Sequence, residues 1–80
     1  MNLDILAFAS ASEALGTDRV RWSTEAATVG ELKAELAQRH PGLGPLWERL
    51  AVSVDGEIAT DVDELHDGAE VALLPPVSGG

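Results

Sequence analysis

The chain has 80 residues, 14 acidic against 5 basic side chains for a net charge of −9, and no cysteine. That length supports a single domain. The missing thiols exclude disulfides, thiolate metal sites and a cysteine nucleophile, and fit a reducing compartment. The charge disfavours nucleic acid as a ligand, because gripping a phosphate backbone takes a basic footprint. It suits solubility alone, or docking on a basic partner.

At the start, Met1-Asn2-Leu3-Asp4 has no basic stretch ahead of its apolar residues, so no signal peptide is predicted. No apolar run approaches the roughly 20 residues of a membrane span. A cytoplasmic protein without a membrane partner is expected. Leu3 to Ala9 reads as a strand apolar on both faces, hence interior. Ser10 to Gly16 reads as a short helical turn, with capping-box spacing between Ser10 and Glu13 and Gly16 at the C-terminal end. Arg19 to Ser23 alternates cleanly, placing Val20 and Trp22 on one face of a half-buried strand. Thr28 to His40 is the clearest helix. Thr28 and Glu31 repeat the capping-box spacing, and Val29, Leu32 and Leu36 share one side until Pro41-Gly42 ends it.

Gly42 to Leu50 is predicted to be a loop with one helical turn, anchored in the core by Trp47. Asp55-Gly56 is a tight-turn signal joining Ala51–Asp55 and Glu57–Ala59 as a hairpin. Asp61 to Gly68 is polar turn material with Leu65 tucked beneath it, and Glu70 to Leu74 is the last strand, ended by Pro75. One main helix and this strand order predict an α+β fold, a mixed sheet packed on the helix in two layers.

A conventional active site is not visible. His40 ends a helix and His66 lies in a polar turn, neither with a second histidine or a carboxylate at ligand spacing. Asp61, Asp63, Glu64 and Asp67 lack the spacing of a calcium loop, and Gly42-Leu43-Gly44 is too short for a phosphate loop. No metal site is predicted. Two features stand apart. Pro75-Pro76 favours an extended backbone, and Val77-Ser78-Gly79-Gly80 narrows to almost no side-chain volume, so this end could enter a slender channel. It is either a fraying tail or a working group, the Gly80 carboxylate, which becomes an acyl donor once joined to AMP. Secondly, alternation turns Leu6 and Phe8 of the first strand, and Ala72 and Leu74 of the last, away from the helix. If the strands are neighbours these residues make an apolar patch at the root of the tail, a protein interface or a surface packed under a loop.

"EALGTD" (Glu13 to Asp18), "TVGELKAEL" (Thr28 to Leu36) and "LHDGAEVALLPPVSGG" (Leu65 to Gly80) together resemble the ubiquitin-like sulfur carriers of MoaD/ThiS type, in the branch that serves as the small subunit of molybdopterin synthase. The resemblance implies a β-grasp domain over 1–74 and an extended tail over 75–80. It implies that Gly80 is adenylated with ATP by a ubiquitin-activating-like adenylyltransferase and converted to a thiocarboxylate, no cofactor being permanently bound. That tail (Pro75, Pro76, Val77, Ser78 and Gly79, ending in Gly80) would enter the large subunit, in a heterotetramer, and give sulfur to a cyclic pyranopterin monophosphate to form the molybdopterin dithiolene. Leu6, Phe8 and Leu74 would then meet the partner. Leu74 stands where relatives are commonly aromatic, Ser12 where they are often basic, and Ser53-Val54-Asp55 replaces their Val-Asn pattern. The rival expectations are a carrier for thiamine or tRNA thiolation, which the E-x-L-G-T turn and the PPVSGG ending disfavour, and a ubiquitin-like binding module without tail chemistry.

Overall fold

The computed structural model describes residues 1–75, and over that span the alternating segments assemble into one five-stranded sheet. The strands are β1 (Asn2–Ala7), β2 (Arg19–Ser23), β3 (Ala51–Val54), β4 (Glu57–Ala59) and β5 (Glu70–Leu74). The helices are α1 (Ser10–Leu15) and α2 (Val29–Arg39), and a 3₁₀ segment runs over Pro41–Arg49. The order across the sheet is β2-β1-β5-β3-β4. β1 and β5 run parallel, and the other pairs are antiparallel. β5 is thus enclosed by a neighbour on each side, which is why "EVALL" reads apolar on both faces.

One face of the sheet holds the core. Leu3, Ile5 and Ala7 of β1, Val52 of β3, and Val71 and Leu73 of β5 are all buried there, against Val29, Leu32 and Leu36 of α2. This is the α+β arrangement expected from the pattern, and the β-grasp domain that the resemblance implied. Val20 and Trp22 also face inward but stay half-buried, because β2 is an edge strand. Trp22 Nε1 donates to Glu35 Oε1 at 2.6 Å, and its ring lies 5.8 Å from the Arg39 guanidinium and 5.8 Å from the His40 ring. These contacts tie the sheet edge to the C-terminal end of α2.

Three local expectations are revised. The Ser10/Glu13 capping box does not form: Ala9 precedes α1 with φ 52° and ψ −126° and no side-chain cap. The Phe8 carbonyl instead accepts from the Ala11 N–H at 3.1 Å and the Ser12 N–H at 3.4 Å, so backbone geometry starts the helix where side chains were expected to. At α2 the Thr28 side chain does accept from the Glu31 N–H, but the Glu31 carboxylate reaches Ala27 N–H at 2.7 Å, one residue ahead of the cap. Finally, the stretch after α2 is a nine-residue 3₁₀ segment whose anchor is Leu43, fully buried, rather than the half-buried Trp47. Two glycines and Pro45, which has no N–H to give an α-helix, hold this segment short and tight.

The polar stretch after β4 is strapped onto the start of α2. The Val29 N–H donates to the Asp63 carbonyl at 3.0 Å, Gly30 to Asp61 at 2.9 Å, and Leu65 to Ala27 at 2.8 Å. Leu65 is buried under this stretch as predicted.

Candidate functional site

Among the described residues no helix covers the opposite face of the sheet, and its side chains follow from the register. Leu6 stands beside Arg19 on β2 and Ala72 on β5; Ala72 stands beside Ser53 on β3, and Ser53 beside Ile58 on β4. A straight row, Arg19-Leu6-Ala72-Ser53-Ile58, therefore crosses all five strands. Above it Leu74 pairs with Ala51. The Phe8 N–H continues the parallel ladder by donating to the Leu73 carbonyl at 3.3 Å, which sets Phe8 beside Leu74. Ala72 and Ser53, small and themselves buried, form a floor. Leu6 and Leu74 stand half-buried beside it, Phe8 is 47% exposed and Ile58 69% exposed. The structure thus brings Leu6, Phe8 and Leu74 together on one apolar face, and the strand that leads to Pro75 runs through its middle.

Ile58 is the member that the sequence reading missed, since a three-residue strand gives no alternation to count. The turn carried the signal. Asp55 and Gly56 both take positive φ, 51° and 86°, as a two-residue type I′ turn requires. Such a turn forces Val54 opposite Glu57 and hence Ser53 opposite Ile58.

Of the tail, Pro75 follows β5 directly and is exposed. Pro76, Val77, Ser78, Gly79 and Gly80, the terminus expected to be the acyl donor among them, lie outside the described residues.

His66 is not the solitary turn residue that its sequence context suggested. Its Nε2 lies 2.5 Å from Asp55 Oδ2 and its Nδ1 3.0 Å from the Asp67 carbonyl. Both ring nitrogens meet acceptors, which is the pattern of an imidazolium. The hydrogen bond that His66 donates to the Asp55 carboxylate, then the one it donates to the Asp67 carbonyl, raise the His66 pKa. The Glu70 N–H on Asp55 Oδ1 at 2.9 Å, followed by His66, lowers that of Asp55. Among the described residues no group of three or more His, Cys, Asp or Glu side chains is placed to hold a metal ion, and no helix is long and apolar enough to cross a membrane.

An unhelmeted sheet face, a central strand running out beside it, and residues 5–80 matching the ThiS family meet in one assignment. The chain belongs to the ThiS family. Among relatives, small archaeal modifier protein 1 of Haloferax volcanii is 37% identical over 82 residues, covering 91% of this chain and 94% of that one. The crystal structure of SAMP1 from the same organism superposes with a TM-score of 0.83 at 31% identity, covering both chains fully. A molybdopterin synthase sulfur carrier subunit of Chlamydomonas reinhardtii is 30% identical over 83 residues, again covering both chains fully. In a Helicobacter pylori complex of subunits 1 and 2 of molybdopterin-converting factor, one chain matches with a TM-score of 0.70 and 25% identity over the full length of both. The fold common to these ThiS-family proteins and their neighbours is the one built here.

Proposed function

We propose that this chain is the sulfur carrier subunit of a molybdopterin synthase. Gly80 is adenylated at the expense of ATP by a ubiquitin-activating-like adenylyltransferase, sulfur displaces AMP to leave a terminal thiocarboxylate, and the tail delivers that sulfur to a cyclic pyranopterin monophosphate held by the large subunit. The observation that carries the reading is the family match, which runs to the last residue, Gly80. The relatives named as sulfur carrier subunits and the paired subunits in the Helicobacter pylori complex support the choice of partner. The apolar face around Ala72 supplies the surface on which the adenylyltransferase and the large subunit would dock, and β5 aims the chain from that face. No described side chain is needed as an acid or base, because the terminus is the reacting group.

The name of the Haloferax volcanii relative, a modifier protein, favours a second reading: the same acyl-adenylate is attacked by an amine and ends as an amide. One experiment separates the two. The chain is incubated with ATP, a sulfur donor and the adenylyltransferase, and its C-terminal fragment is weighed. Replacement of one oxygen by sulfur at Gly80 is the expected result; amide-linked products with an unsulfurated terminus would replace the first reading by the second. Deleting Gly80 shortens an extended tail by about 3.3–3.6 Å, enough to spoil attack geometry that must close to about 3–3.5 Å. The shortened chain is expected to fold and dock yet give no molybdopterin, whereas a pure binding module would keep its activity.

A further inference from the structure

An acyl-adenylate is attacked by any amine that reaches it, so a carrier activated at its own end is exposed to acylating other copies of itself. Resting on the acyl-donor reading above, the amines of the chain acquire meaning. There is one lysine in the sequence, Lys33, on α2, across the core from the apolar face. Its Nζ lies 2.7 Å from Asp61 Oδ1 and 5.7 Å from the centroid of the Trp47 ring, and its side chain is 22% exposed against 64% for Asp61. The Met1 ammonium, too, is engaged, donating to the Thr24 carbonyl at 2.8 Å.

Asp61 is held in place by backbone. Gly30 donates its N–H to the Asp61 carbonyl at 2.9 Å, Val29 to Asp63 at 3.0 Å, and Thr28 bridges Glu64. Gly30 sits one turn before Lys33, so a loop fixed at Gly30 sets the Asp61 carboxylate beside the lysine. Glycine is what permits the approach: a Cβ there would meet the Asp61 carbonyl oxygen at 3.1 Å. Exposed ion pairs usually contribute little, in part because two long side chains must be ordered to make them. Here one partner is already ordered by its backbone, and the lysine head lies by an indole face that attracts it further.

We propose that Asp61, assisted by Trp47, withholds Lys33 from acyl transfer, so that the activated chain is spared conjugation to its own copies. To react, Lys33 must leave Asp61, give a proton to solvent, and bring Nζ to the Gly80 carbonyl carbon of another copy. The C–N bond forms as the bond to the leaving group breaks, releasing AMP from an adenylate or a thiol from a thioester. Asp61 acts as a positioning residue throughout.

The test uses the full chain and a small acyl donor, the N-hydroxysuccinimide ester of acetate. Acetylation at Lys33 and at Met1 is followed by fragment mass spectrometry, with the Met1 rate as internal reference. Asp61→Asn keeps the side-chain volume and the backbone bond to Gly30. It is expected to raise the Lys33 rate about five-fold, the upper range for an exposed pair, and to leave the Met1 rate unchanged. The unaltered protein in about 1 M salt, where the screening length is about 3 Å, is expected to shift the same way without any mutation. When Gly80 is prepared as an α-thioester by intein cleavage, D61N should form Lys33-linked dimers correspondingly faster, and D61N combined with K33R none. Lys33 rates equal within about two-fold in parent, D61N and high salt would overturn the proposal, as would Lys33-linked dimers forming equally fast from parent and D61N. None of these measurements uses the adenylyltransferase or a sulfur donor, so the outcome is independent of whether sulfur transfer is observed.

Discussion

Asp55 holds a left-handed φ of 51° in the β3–β4 turn while its carboxylate accepts from the Glu70 N–H at 2.9 Å and from His66 at 2.5 Å. The pair stitches that turn to the entry of β5. The two pKa shifts set its pH range. His66 is raised, so its contribution is complete below the ordinary imidazole value of about 6.5 and is lost as pH rises through the folded value. Asp55 is lowered, so its contribution is complete above about 3.9 and is lost as pH falls through its folded value. His66→Gln should therefore lower the urea midpoint most between about pH 4 and 6.5, with the gap to the parent narrowing at higher pH; a gap constant with pH would remove the charge from the account. Ala9 offers a second residue-level outcome. Its φ of 52° with ψ of −126° belongs to a region that glycine occupies without strain. Ala9→Gly relieves about 1–3 kcal/mol of strain against about 0.4–1 kcal/mol of added chain freedom in the unfolded state. The thermal midpoint should rise. Phe8 and Ile58, exposed at 47% and 69%, present the reverse case. Phe8→Asp or Ile58→Asp should leave the midpoint close to that of the parent while weakening association with the proposed large-subunit partner by about 2 kcal/mol or more, because the introduced charge is desolvated at the contact. Calorimetric titration beside melting curves reads both, and outright unfolding of both variants would place these side chains in the core.

At the level of elements, α2 is the only long helix among the described residues, and Leu36, fully buried, sits near its middle. Leu36→Ala should cost about 2–5 kcal/mol, a large share of the roughly 4–12 kcal/mol that a chain of this size commands. Denaturant unfolding would show it as a lower midpoint with an unchanged slope. Gly30 gives a subtler case. In an open helix Gly→Ala is worth up to about 1 kcal/mol, but here the new methyl meets the Asp61 carbonyl at 3.1 Å and the Asp61 Cβ at 3.2 Å. Gly30→Ala should accordingly lower the midpoint and loosen the strap between Asp61 and α2. The elements most legible in the sequence were those with a local signal to read: β1 and β5 as short apolar runs, β2 by alternation, α2 by Val29, Leu32 and Leu36, and the β3–β4 hairpin by Asp55-Gly56. Less legible was whatever depended on distant partners. Ser10 and Glu13 had the right spacing for a cap, but the backbone at Ala9 had already started the helix. Trp47 looked like an anchor by size, whereas Leu43 fits the space that α1 and α2 leave. The Asp55–His66 contact joins two turns that no local pattern connects, and Ile58 belongs to the apolar face only once the hairpin register is fixed. The apolar face itself could be stated from alternation, conditional on β1 and β5 lying side by side, and they do.

The molecule as a whole combines a net charge of −9 with an apolar face, a combination that speeds encounter with a basic surface while leaving contact strength to the apolar residues. The association rate with the proposed large-subunit partner should fall steeply between low and physiological salt, with the dissociation rate changing little; stopped-flow mixing would measure both. One feature of the sheet bears on how the protein is made. β5 lies between β1 and β3, so the two sequence-remote halves of the sheet have no common neighbour until the residues nearest the C-terminus arrive. Contacts of such long sequence separation close late. The sheet therefore cannot seal until residues 70–74 are free to pair on both sides. A break within residues 70–74 would therefore take out the keystone of the sheet: β1 and β3 lose their shared partner, and the apolar row loses Ala72 at its centre.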